Sequence, residues 1–539
     1  MYLTEIKTIK KGKSYCSTLI RESFRENGAV KNKTVANISK LPEALKSNIK
    51  SFLKNKKGNF DIADLGIGKA YEYGGSYVLR EVARNIGLDK TIFSQKTEWR
   101  ENILAMITGR LLYQGSKLNL VNTYNDTALW EIAGHEFGER PDVEKTCYKP
   151  MDELIKRKEK IEKKLSKKHL SNGSMILYDI TNTWLEGEYN DSNIVAFGRG
   201  KGGKRGYKQV AIGLLTNAEG CPVGVEIFKG NTSDQTTVLG QIQKISEKYG
   251  IKEAVFVGDR GMLTKKRIDE IDADKFKTIT ALTHAELSSI IKKENVEMDL
   301  FDEMNITEVT DSEKKDVRYM LCKNEKEKLK EGKTRDNLIE KVEKLLIKKS
   351  SVKRKRDKKK TCASVGRIFE KIKIEKFFTW KVDKNGKLTW NRKEDKIQEE
   401  KALDGCYVIK ANTNETMNKE QVVNAYQALQ KVEQAFKNMK TILLELRPIY
   451  HKTDERITAH IFIVMLAYYL QWHVMKKVKP LFDNDGVGVN RRWSFDIVIK
   501  RLMSITKTES LINNVVIKKS ISTLDQEQKE ICKLLEVEL

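Results

Sequence analysis

Between Ser174 and Leu282 five short apolar, β-branched runs follow one another in a fixed order, and that order limits the fold more than any other feature of the chain. Runs of this length bounded by turn residues read as buried strands. They fall at 175–179, 207–215, 223–228, 254–258 and 278–282. The second and third are joined by the turn Asn217-Ala-Glu-Gly220, which makes them an antiparallel hairpin. Between the third and fourth, Val238, Leu239, Ile242 and Ile245 share one face of an amphipathic helix over 236–249. A second helix separates the fourth run from the fifth. Three strands, helix, strand, helix, strand predicts an α/β layer with a mixed sheet.

Two of the runs end in an aspartate: Met175-Ile-Leu-Tyr-Asp179 and Ala254-Val-Phe-Val-Gly-Asp259. A carboxylate at the end of a core strand is costly unless something cationic balances it. A third acid, Glu433, lies midway along a helix predicted over 418–441. There Val422, Leu429, Val432, Phe436, Met439 and Leu443 recur at three- and four-residue intervals. Tyr426, Glu433 and Lys440 are seven apart, nearly two turns, and form one stripe at the edge of the apolar face. That position predicts partial shielding of Glu433; the plain alternative is a surface pair with Lys437 at i, i+4. Three carboxylates on these elements suit a pair of Mg²⁺ ions, or Mn²⁺ in their place, because hard ions prefer oxygen. The order of elements resembles that of a ribonuclease-H-like sheet. In that fold the ends of strands one and four lie side by side, which would bring Asp179 and Asp259 together.

Charge indicates what such ions would act on. Lys+Arg 101 against Asp+Glu 75 leaves +26 at pH 7, an excess that favours a polyanion. For a metal pair in so basic a chain the natural substrate is a phosphodiester. A membrane reading has little to support it. The longest apolar stretch, Ile461 to Trp472, is short of the roughly 20 residues a span needs, and residues 1–7 hold no hydrophobic signal core. The seven cysteines are dispersed without Cys-x-x-Cys spacing and read as reduced thiols of a cytosolic protein, not zinc ligands. The six histidines add no metal pattern.

The remaining chain divides by pattern. Residues 1–58 read as a small basic α+β domain with a helix from Pro42 to Leu53, and 59–172 as a mainly helical DNA-binding region. The core's first part spans 173–284 and its second 406–478, with an insertion at 285–405. The insertion holds a charged helix (323–349) and the basic run 353–360, read as a linker that adds non-specific affinity. It also holds a hairpin whose Asn385-Gly386 supplies a tight primed turn. The helix from Glu455 to Lys477 is apolar nearly all round and should be buried, and 479–539 reads as a helical tail. The Gly/Lys-rich loop 198–206 offers Lys201, Lys204 and Arg205 to phosphate, against the alternative of a flexible loop. Asp191 and Asp234 read as structural loop acids. Trp380 and Trp390 face one side of the hairpin, where packing on their own domain is the simpler expectation.

In these residues the chain resembles the DDE transposases of the insertion-sequence-4 superfamily, closest to its 1634 branch. That group carries Tyr-x2-Arg-x3-Glu-x6-Lys on the helix of the third acid. Tyr426, Glu433 and Lys440 match it, with Leu429 where the arginine is expected. Leu177-Tyr-Asp179-Ile-Thr, Gly230-Asn-Thr-Ser-Asp234, Val257-Gly-Asp259-Arg-Gly and Leu444-Glu-Leu-Arg-Pro-Ile-Tyr-His451 extend the resemblance. It implies two-metal phosphoryl transfer on DNA ends, with Asp179 bridging both ions and Asp259 and Glu433 each holding one. It implies DNA contacts by Tyr426 and Lys440, with Lys437, Arg260, Lys204, Arg205 and a base-stacking Trp380 as further candidates. Double-stranded DNA with terminal inverted repeats, target DNA, a homodimer on paired ends and a cytoplasmic, nucleoid-associated bacterial setting follow from the same resemblance. A non-catalytic DNA-binding relative, or a nuclease of the same fold, is the alternative.

Overall fold

The computed structural model describes residues 1–539 except 11–12, 27–28, 56–64, 199–205, 295–305, 314–315, 352–356, 414–415, 441–443, 445, 448, 487 and 513–514. Contacts divide the chain into two compact units. One is Met1–Tyr73 with Ile505–Leu524; the other is Gly74–Ser504 with Asp525–Leu539.

The larger unit is built on a nine-stranded mixed sheet. Its strands are β1 (Ser174–Leu185), β2 (Ala196–Phe197), β3 (Lys208–Asn217), β4 (Pro222–Lys229), β5 (Ala254–Gly258), β6 (Phe276–Ala281), β7 (Ile306–Thr310), β8 (Arg318–Lys323) and β9 (Cys406–Ala411). The order is β7-β8-β9-β6-β5-β1-β3-β2, with β4 also paired to β3. β5 runs parallel to both β1 and β6; β3 and β4 form the expected antiparallel hairpin. At its turn the Asn217 side chain accepts the Glu219 and Cys221 amides, and Gly220 takes φ 86°.

One face of this sheet presents Ile176, Tyr178 and Ile180 to Val238, Ile242, Ile245 and Tyr249, a single buried cluster. The helix expected over 236–249 is a 3₁₀ turn, an α segment (Val238–Gln243) and a wider π segment (Lys244–Tyr249). The other face carries α4 (Leu429–Lys440) against β1 and α5 (Asp454–Lys477) against β4. α5 also packs on the helices Glu98–Leu112 and Lys149–Ile155. It is the one described helix long and apolar enough to cross a membrane, and most of it is buried inside the protein.

Several expectations are corrected. β1 does not stop at Asp179: its parallel pairing with β5 ends at Tyr178, but its antiparallel pairing with β3 continues to Leu185. The early insertion adds to the core, because β7 and β8 extend the main sheet beyond β9. The insertion's own core lies in 339–397. It is built from α1 (Glu325–Ser350), α2 (Lys358–Ile372) and the hairpin Phe378–Val382 with Leu388–Arg392. Lysines 358–360 of the basic run open α2, capped by Asp357; 352–356 lie outside the described residues. In the hairpin loop only Gly386 has positive φ (76°), with the Asp383 side chain accepting the Asn385 and Lys387 amides. The loop is therefore longer than a two-residue primed turn. The helix expected over 418–441 is interrupted at Ala428, which gives α3 (Lys419–Gln427) and α4. The supposed helical tail contains the hairpin Thr506–Ile512 with Val515–Ile521. In the smaller unit that hairpin pairs with the strand Leu65–Glu72, and a three-stranded meander (Tyr2–Lys10, Lys13–Glu26, Ala29–Asn37) forms a second sheet.

Candidate active site

Asp179 and Asp259 are placed by one ladder. β1 and β5 pair from Ser174↔Ala254 to Tyr178↔Gly258, so the two aspartates occupy the next position on each strand. Neighbouring strands are about 4.8 Å apart, which sets the scale of that approach. Side chains alternate along a strand. Tyr178 and Ile180 enter the buried cluster, so Asp179 and Thr181 belong to the opposite face, where α4 lies. The hydroxyl of Thr181 accepts a hydrogen bond from the ammonium of Lys440 at the end of α4. Glu433 lies seven residues earlier on that helix, about 10 Å along its axis on the same stripe.

The approach of Glu433 to Asp259 is registered by Tyr426. Burial pushes its phenol up to about 12; the charge on Asp259 adds to this, Arg260 opposes it, and Glu433 adds again. Tyr426 therefore stays protonated, in the field of both carboxylates. A cleft of about 400 Å³ is lined by Asp259, Tyr426 and Glu433 together with His284 and Tyr407. Asp259 itself is exposed and accepts the Arg260 amide (2.8 Å), while its carbonyl receives the Met262 and Leu263 amides. That turn directs the chain away from the sheet just after the carboxylate.

The other assigned residues separate. Glu433 is exposed, not partly shielded, because the interruption at Ala428 leaves the buried face of α4 to Leu429, Val432, Ala435, Phe436 and Met439. Among the described residues Lys437 forms no ion pair with Glu433, and it and Arg260 are exposed. Leu429, in the arginine's place, is buried. Trp380 packs within the insertion, as the simpler expectation had it. Its ring stacks on Phe369 (6.2 Å between centroids, 23° between planes) and its Nε1 donates to Glu375 (3.0 Å). The aromatic face proposed for a DNA base is thus largely in use. Lys201, Lys204 and Arg205 lie outside the described residues. Thr181 was not singled out in the sequence, although Asp179-Ile-Thr181 carries the signal: two residues apart on a strand share a face.

The candidate donors are carboxylate oxygens, which fit a hard divalent cation better than a soft one. They do not form a tight single-ion cage. Among the described residues the one group of three ligand types within 4.8 Å of one another is His169, Cys221 and His473, away from these acids.

No curated protein matches the chain significantly. Among solved structures, it is similar to the piggyBac transposase synaptic complex with hairpin DNA, at TM-score 0.34 and 9% identity, over 80% of this chain and 76% of that one. Residues 190–470 match the family described as Transposase DDE domain, a span that contains Asp259 and Glu433 and begins after Asp179. Residues 3–62 match the IS1634 family transposase, N-terminal domain. Over half its length, then, and again at its N-terminus, the chain belongs to the DDE transposases, in their IS1634 branch.

Proposed function

We propose that this transposase binds the terminal inverted repeats of an insertion sequence, cuts the element's ends and joins them to target DNA. Asp179, Asp259 and Glu433 hold its divalent cations, Mg²⁺ with Mn²⁺ as a substitute. The observation that supports this reading is the β1–β5 register: Asp179 and Asp259 each follow its last pair, and the helix of Glu433 packs on β1. The strand order β4-β3-β1-β5-β6 supports a ribonuclease-H-like core. When bound, a pair of such ions activates the attacking oxygen and offsets charge on the leaving oxygen.

The chain's own residues do the positioning. Lys440, tied to Thr181, keeps a cation on the Asp179 face of the sheet. Tyr426 lines the cleft and, with its phenol raised by burial, stays protonated and able to donate to a bound phosphate. Arg260 and Lys437 are exposed cations near the acids and suit phosphate contacts. Paired ends call for two protomers, so we propose a homodimer on DNA.

The test is strand transfer in vitro with the element's own termini. Asp179→Asn, Asp259→Asn and Glu433→Gln should each lower metal-dependent cleavage at least about 1,000-fold, because each removes a ligand of ions that carry several kcal/mol of transition-state stabilisation. Binding to ends should change little. One feature favours a non-catalytic reading: Leu429 stands buried where the family carries an arginine. Wild-type protein that binds ends but never nicks them with Mg²⁺ or Mn²⁺ would decide for it.

A further inference from the structure

We infer that His169, Cys221 and His473 form a structural zinc site, separate from the three acids. Three different elements supply the ligands. His169 ends the helix Lys158–His169, Cys221 closes the β3–β4 turn, and His473 lies late on α5. One ligand atom from each residue lies within 4.8 Å of the other two. A tetrahedral zinc with bonds of about 2.0–2.3 Å separates its ligands by roughly 3.5 Å, so the trio closes on an ion by side-chain movements of about 1 Å.

Two further observations point to a ligand. Nε2 of His473 is buried without a hydrogen-bond partner, an orphan that a metal bond would satisfy. Nε2 of His169 is hydrogen-bonded to Tyr469 Oη (2.9 Å), which orients that ring and leaves Nδ1 as its ligand atom. The surroundings keep the thiol in place: Cys221 is fully buried, and its amide donates to Asn217 Oδ1 (2.9 Å). One thiol and two imidazoles form a borderline-soft set that selects zinc over magnesium or manganese. Binding would displace the Cys221 proton to solvent, leave the metal's oxidation state unchanged and keep a fourth position for water. It would clamp the β3–β4 hairpin to the central helix and to the helix that leads into the sheet.

The experiment uses the full-length chain without a polyhistidine tag. Elemental analysis should find about one zinc per chain, as expected for one site. After chelation, Co²⁺ should restore binding with a thiolate-to-metal charge-transfer band, which oxygen ligands at the acids cannot give. Cys221→Ser and His473→Gln should abolish the band and weaken binding more than about 100-fold, beyond the loss typical of an outer partner. Asp259→Asn should keep both metal and band. Zinc-free protein whose cobalt form lacks the thiolate band would overturn the site. This wild-type reading decides even where a variant fails to fold, and it is independent of whether the protein cuts DNA.

Discussion

The Thr181 hydroxyl is one of the groups that decide where Lys440 points. Thr181 and Asp179 share a face of β1, and the Thr181–Lys440 bond fixes the end of α4 over that face. Thr181→Val keeps the shape and β propensity of the side chain but removes the acceptor. The ammonium then loses a charge-assisted bond worth about 1.5–3 kcal/mol. Freed from Thr181, it can move off the face where Glu433 must also be held. We expect cleavage to fall about tenfold or more for that loss, with end binding nearly unchanged and the unfolding midpoint lowered in step with the lost bond. Rates on a pre-cleaved and an intact end, measured side by side, would check this. Equal activity of Thr181→Val and wild type would mean the bond positions nothing. The three acids and Tyr426 could be named from sequence because each sits in a local pattern: a strand end, or a seven-residue stripe. Strand alternation puts Thr181 on the face of Asp179, but its role as an anchor for Lys440 is not local, because that partner lies 259 residues away.

Among the elements, the helix Lys158–His169 is joined to the sheet by charge. Glu162 is fully buried and accepts from the Val225 amide (2.9 Å) and from Lys158 and Lys244 (3.0 and 2.8 Å). Burial alone would raise its carboxyl; Lys158 and Lys244 overcome that and hold it below the ordinary range. Glu162→Gln leaves two largely buried ammonium groups short of a counter-charge. It should cost about 3–5 kcal/mol, as breaking a buried ion pair does, read as a lower urea midpoint at unchanged slope. Charge alternates along this helix, and nothing in its sequence reveals that one glutamate faces a sheet. Legibility followed contact range in the same way. The β3–β4 hairpin, β5 and α5 carry their signals within a few residues. β7 and β8 were missed because β8 pairs with β9, whose residues lie more than 80 positions later. Thr506–Ile512 was missed because its strand alternation is broken by charge, and its second partner is Leu65–Glu72. The Asn385-Gly386 turn was placed correctly and typed wrongly: positive φ is confined to Gly386. Gly386→Ala should therefore cost about 1 kcal/mol in the hairpin's stability.

For the whole molecule, acid and salt act on different charges. Burial lowers His451 to about 3, with Lys117, Arg456 and Arg110 adding to the effect, and lowers His460 well below its usual value. Both stay neutral in the native state, whereas the unfolded chain protonates them near pH 6.5. The unfolded state thus binds more protons below that pH, so stability is fully present above it and is lost as pH falls towards about 3. The thermal midpoint should decline steadily from about pH 6.5 downward; a flat profile to pH 4 would contradict the burial of these rings. DNA binding should answer to salt instead. An excess of +26 lies mostly on exposed lysines and arginines, and each phosphate they neutralise releases condensed counterions. With roughly 6–10 such contacts, affinity for any duplex should fall about 10³–10⁵-fold between roughly 50 and 200 mM salt, linearly on logarithmic axes. Lys437→Ala should reduce that slope by about one if Lys437 meets a phosphate, and lower affinity for specific and random DNA alike. A slope near zero in titrations of wild-type protein would mean that the basic surface does not face the backbone. Association with terminal repeats would then have to rest on base contacts alone.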